Sequence, residues 1–184
     1  MKRTEPWYYH VPLWIIIAVL TYMLIQVAII EPQEIMKMER YYKAESRARM
    51  SNLRQAEILW EKKFGRYTDN LDSLIKYVST DSAVIKMMTE IDTITKRSKN
   101  PFEPLVSGDL VFDSLYFSPK SHSYYILKVD TSQSIDTVIN RYGKLVSIDT
   151  TITIGTRYLL ECPDGYGKIG DLYSDALKNT ASWE

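Results

Sequence analysis

From Val11 to Ile30 the chain reads VPLWIIIAVLTYMLIQVAII, twenty residues without a charged side chain. A helix rises about 1.5 Å per residue, so this run covers about 30 Å, the thickness of a bilayer's hydrocarbon layer. Trp7, Tyr8, Tyr9 and Trp14 gather at one end, where aromatic rings favour the headgroup boundary. The stretch is too long for the apolar region of a cleaved signal peptide, and no small-x-small site precedes Glu31. It therefore reads as a retained span. Trp7, Trp14, Ile17, Leu20 and Leu24 are its anchor residues, and Gln26 is a polar side chain able to bond a neighbouring helix.

After the span the chain stays helical. Between Gln33 and Phe64 there is no Gly and no Pro, and the composition favours Ala, Glu, Lys, Arg, Met and Leu. Pro32 kinks this helix or opens it at its first turn. Residues 34–49 are polar all round and read as an exposed stem. Leu53, Ala56, Trp60 and Phe64 fall near one stripe with Tyr42, beside Ala48 and Leu59, and are expected to dock the helix on a sheet. Gly65 stops the helix. Thr68 or Asp69 is the expected cap of a second helix over 71–78, and residues 83–91 of a third.

Beyond residue 108 the period shortens. Strands are expected over 109–117, 123–129, 134–139, 144–148 and 151–160, with Ser132 in a polar turn and Asn140-Arg141-Tyr142-Gly143 as a hairpin turn. Their spacing predicts an antiparallel sheet. The fold class is α+β: a long N-terminal helix, its first half transmembrane, packed on a small antiparallel sheet. The divisions are a tail (1–10), the span (11–30), a helical stem (31–66) and a soluble α+β domain (67–184).

Little here suggests chemistry. Gly165-Tyr166-Gly167-Lys168-Ile169-Gly170 has the spacing of a dinucleotide fingerprint, but no second strand and no acid about 20 residues on can follow it. A glycine-rich turn is the better reading. His10 and His122 lack metal-ligand neighbours, and Cys162 has no disulfide partner. No nucleophile–base pair is visible, so no enzyme, cofactor or metal is expected. The 23 basic and 23 acidic residues cancel, so charge does not point to nucleic acid.

Lys2 and Arg3 precede the span, and Glu31 and Glu34 are the first charges after it. Counting only Lys and Arg would put the domain in the cytoplasm. The nearest charges beyond the span are acidic, however, and the basic residues start about two turns on, so this order favours a cytoplasmic tail and a domain outside the inner membrane. Lys37, Arg40, Lys43, Arg47 and Arg49 are interleaved with acids and read as a solvated stem.

The stretch NLRQAEILWEKKFGRYTDNLDSL (52–74) resembles the type IV pilins and the pseudopilins of type II secretion: an amphipathic helix end, an aromatic, a Gly-x-Tyr turn and a leucine-bearing helix. The resemblance covers about residues 40–78 and implies a pilin-like fold. The chain departs from those families at two points, with no glycine before Gly65 and no acid at positions 11–30. Leader-peptidase processing is therefore not carried over. The chain is also similar to small single-span bacterial proteins with the same core and a tail like Ser182-Trp183-Glu184, a group with no established activity. The resemblance implies a structural or accessory subunit of an envelope complex, or alternatively a membrane-anchored periplasmic binding module. Its partners would be the bilayer and other membrane or envelope proteins, with self-association open.

The anchor is directly testable. Replacing Ile17 and Leu20 together by Arg costs roughly 2.5–3.5 kcal/mol per central charge on insertion scales. The double variant is expected to leave the membrane fraction after alkaline carbonate washing. Full retention would contradict the span.

Overall fold

A computed structural model of the chain describes residue 7 and residues 10–91 and 98–184. The tail residues Lys2, Arg3, Tyr8 and Tyr9 lie outside the described residues. Two compact units result, residues 1–42 and residues 43–184. The second is called the head below.

In the first unit, helix α1 spans His10–Ile25 and passes into a π-helical turn, Gln26–Ile30, from which α2 (Glu31–Phe64) continues. The wide turn has a local cause. Pro32 has no N–H to give to the carbonyl four residues back, and its ring crowds that carbonyl. The ladder shifts register just before it, with Glu31 N–H bonding to Gln26 O, a five-residue spacing. The expected effect of Pro32 thus takes the form of a π turn inside one helical run.

The head is built around the far half of α2. Met50, Leu53, Ala56 and Leu59 are buried with Leu74, Ile75 and Val78 of α3 (Leu71–Thr80) and Val84 of α4 (Ser82–Thr89). Asn70, rather than Thr68 or Asp69, caps α3, its Oδ1 accepting from Ser73 N–H at 2.9 Å. Asp81 caps α4 through Ala83 N–H and also pairs with Lys63. Phe102, Leu105, Leu115, Tyr125, Tyr158, Leu160 and Ile169 complete the core.

The sheet has three antiparallel strands in the order β1 (Ile126–Ile139), β2 (Leu145–Glu161), β3 (Lys168–Gly170). The separate strands expected over 123–139 are one long strand, and so are those over 144–160. Ser132 lies inside β1, opposite Thr153, and not in a turn. The hairpin turn is at Asn140–Gly143 as expected; Asn140 Oδ1 accepts from Tyr142 and Lys144 N–H. The strand expected over 109–117 is absent: Phe112–Tyr116 is a 3-10 turn.

A bulge interrupts the hairpin where β2 places three residues opposite Asp130 alone, between the pairs Val129↔Tyr158 and Thr131↔Ile154. Asp130 closes it by accepting from Thr156 Oγ1 at 2.6 Å and Arg157 N–H at 2.7 Å. Gly155, at the bulge, has φ +76°, and its carbonyl accepts from Tyr67 N–H at 2.8 Å. A Cβ there would sit 2.7 Å from Tyr67 O. The ribbon is thus tied to the turn that ends α2. Gly155→Ala combines left-handed strain with that clash and is expected to cost about 2–3 kcal/mol. A thermal melt of the full chain in mild detergent, read by near-UV circular dichroism, should show the midpoint fall by several degrees. An unchanged midpoint would mean that the ribbon is not tied there.

Candidate functional site

Two surfaces follow from the sequence, the apolar span and the packed face of α2. Along the span, Trp14, Ile17, Leu20 and Leu24 are exposed, as is Trp7 before it, so α1 is apolar on every side; Gln26 is half-buried. Thr21 Oγ1 donates to Ile17 O at 2.8 Å, so its hydroxyl finds its partner inside the helix, as lipid requires. Among the described residues, one helical run, Val11–Phe64, is long and apolar enough at its start to cross a membrane.

The docking residues divide. Leu53 and Ala56 are buried in the head, and Trp60 is half-buried. Phe64 is 49% exposed. Its ring contacts are Trp60 at 4.3 Å and Tyr77 of α3 at 5.8 Å, so it packs beside a helix and not on a strand. The expected stripe placed Phe64 on the sheet; it is instead exposed at the helix end, its ring against Trp60 and Tyr77.

Sequence reading missed the polar side chains that α2 buries. Glu45, Ser46, Asn52 and Glu57 are all fully enclosed, so the exposed stem ends before Glu45. Glu45, Arg49 and Asn52 follow a four-then-three spacing that keeps them on one side of the helix, and that side faces residues 103–117. Asn52 exchanges two bonds of 2.9 Å with the backbone of Glu103. Glu45 accepts from Ser107 N–H and Oγ, both at 3.0 Å, and pairs with Arg49 at 2.9 Å. Arg49 Nη1 donates to Ser114 O at 2.9 Å and Phe117 O at 2.7 Å. Ser46 Oγ shares hydrogen bonds with Tyr125 Oη at 3.0 Å and Cys162 Sγ at 3.1 Å. The cysteine is buried there.

Arg47 and Arg54, two turns apart, hold a third side. Arg47 Nε donates to Tyr166 O at 3.3 Å and its guanidinium lies 4.9 Å from the centre of the Trp183 ring. Arg54 pairs with Glu184 at 2.7 Å. Trp183 also explains the glycine-rich turn. A Cβ on Gly167 would lie 2.5 Å from that indole, so this glycine makes room for a ring and not for a pyrophosphate.

Glu57 is electrostatically unusual. Its Oε2 accepts from Thr68 N–H at 3.3 Å, while Oε1 and the nearby Tyr158 Oη are buried without a hydrogen-bond partner among the described residues. Burial, with smaller contributions from Asp69 and Glu61 and against the Thr68 bond, pushes the Glu57 carboxyl up to about 8. Burial first, then Glu57, raises the Tyr158 phenol as well. Glu57 is therefore a neutral acid at pH 7, in a closed core between α2 and β2.

Comparison with protein-family models, with curated proteins and with solved structures finds no match to this chain.

The Glu57 shift gives a pH signature. Its folded pKa lies above the unfolded value, so its contribution is fully present below about 4.5 and is lost as pH rises through about 8. Across that window the slope is about 1.4 kcal/mol per pH unit. Wild-type stability should fall from pH 5 to pH 8 relative to Glu57→Gln, which lacks the titrating group. Denaturant midpoints of both chains in detergent at each pH would check this; parallel profiles would contradict a neutral Glu57.

Proposed function

We propose that this chain is a non-enzymatic, membrane-anchored structural or accessory subunit of a bacterial envelope complex, pilin-like in layout. Its apolar helix lies in the inner membrane and its head on the periplasmic side. The observation that carries this reading is one helical run whose start is apolar on every side and whose end is the central element of an α+β head. A helix that is apolar all round suits lipid. Glu45, Arg49 and Asn52 of α2 hold the chain's own backbone at Ser107, Ser114, Phe117 and Glu103, which supports a scaffolding role. A short basic tail, Lys2 and Arg3, leading directly into the apolar run has the form of a signal anchor, which supports the orientation.

Purification of the full chain in mild detergent tests the proposal. A subunit should emerge in fixed stoichiometry with other membrane or envelope proteins; a chain that always emerges alone favours the stand-alone binding module. Orientation is read from Tyr142→Cys in a Cys162→Ser background, because Tyr142 is exposed in the hairpin turn. A membrane-impermeant maleimide should label it in spheroplasts with intact inner membranes. Labelling only after lysis would place the head in the cytoplasm.

A further inference from the structure

Where the last turns of α2 meet the end of α3 and the start of α4, the surface holds an open groove of about 350 Å³. Leu59, Lys62, Lys63, Tyr77, Ala83 and Met87 line it, with Asp81 between the two short helices. The groove follows from how α4 is seated. Val84 is buried in the core, which turns Ala83 and Met87, four residues apart, to another side of the helix. Ala83 brings only a methyl group to that side, and the space beside buried Leu59 is left open. The walls are held by the fold itself. Asp81 caps α4 through Ala83 N–H and pairs with Lys63, whose ammonium lies 5.0 Å from the centre of the Tyr77 ring.

The charge around this apolar groove is one-sided. Lys63 is satisfied by Asp81, and Glu90 at the end of α4 pairs with Lys99 at 3.2 Å. Lys62 and Lys86 are exposed and have no ion pair among the described residues. Lys62 belongs to the α2 wall. Lys86 stands beside Met87 and one turn after Ala83, next to the α4 wall. An occupant therefore has two conditions to meet at once, a large apolar side chain for the groove and carboxylates for the two ammonium groups. A basic segment would oppose like charges at the rim. An amphipathic helix with an apolar face flanked by Asp or Glu supplies both features at the spacing of successive turns.

We propose that this groove docks an acidic amphipathic helix of a partner protein, its apolar anchor against Leu59, Tyr77 and Met87 and its carboxylates on Lys62 and Lys86. The inference concerns the head and stands apart from the reading of the apolar helix as an anchor.

The test uses the full chain in nanodiscs of neutral lipid, with empty nanodiscs as the blank. The probes are two labelled synthetic helices with the same leucine face, one with Glu flanks and one with Lys flanks, and binding is read by fluorescence anisotropy. The Glu-flanked helix should bind at least about tenfold more tightly than its Lys-flanked twin, and added salt should weaken it. Ala83→Trp, which fills the groove from an exposed position, should cost about tenfold in its affinity. The double variant Lys62→Glu with Lys86→Glu leaves the packing alone and should reverse the preference between the twins. Equal binding of the twins to the wild-type chain, or no binding above the blank, overturns the proposal. Binding that neither variant changes places the helix elsewhere and also overturns it. If dodecanoate binds at the groove and the Glu-flanked helix does not, the occupant is a lipid and the proposal falls. None of these results touches the proposed membrane anchor.

Discussion

The head depends on a helix that supplies hydrogen bonds to other parts of the chain. Residues 98–125 make little regular structure, so their backbone groups have few ladder partners of their own. Buried groups of that kind destabilise a fold unless something else bonds them. Asn52, Glu45 and Arg49 do so, reaching Glu103, Ser107, Ser114 and Phe117. Charge-assisted bonds from Arg49 are the stronger members of the set, and the Glu45 carboxylate balances that cation inside the head. Two other sides of the same helix are covered, one by Tyr125 and Cys162 through Ser46, the other by the 166–184 segment through Arg47 and Arg54. A helix enclosed on three sides can carry polar residues that would be solvated on an ordinary amphipathic helix.

This enclosure explains what the sequence could and could not reveal. The long apolar helix was legible because twenty uncharged residues constrain a chain whatever its tertiary contacts. The stop at Gly65 and the turn at Asn140–Gly143 were legible because their chemistry is local. Glu45, Ser46, Asn52 and Glu57 were not: on a helix they look like solvent-facing residues, and the partners that enclose them lie far along the chain, Glu103 51 residues beyond Asn52 and Cys162 116 residues beyond Ser46. The segment around Leu110 and Phe112 alternates like a strand, but it turns back on itself, with Val111 O accepting from Ser114 N–H, while the Ser114 and Phe117 carbonyls go to Arg49. In the opposite sense, Thr131 to Ser134 reads as a turn from its small polar residues, yet continuous pairing with 151–154 holds it in β1. Cross-strand partners overrode local propensity there.

Glycine in this chain records close approach more than flexibility. At Gly155 the sheet meets the turn after α2, and at Gly167 an indole occupies the space of a side chain. The first contact fastens the ribbon to the turn that ends α2, and the second seats Trp183, whose ring lies against Arg47 of α2. The glycine-rich run near residue 165 therefore has a packing explanation that needs no bound nucleotide phosphate.

The sequence distance of those contacts governs how the head comes into being. Ser46 waits for Cys162, 116 residues on, and Arg54 for Glu184, 130 residues on. Contacts of such separation are slow to form, because loop-closure entropy is lost before they can compensate for it. During synthesis the helix emerges first, with Glu45, Asn52 and Glu57 still hydrated and its apolar stripe uncovered. The head thus reaches its native state in one late step, when the last strand and the segment after it arrive, and until then the chain is open to aggregation and to capture by chaperones.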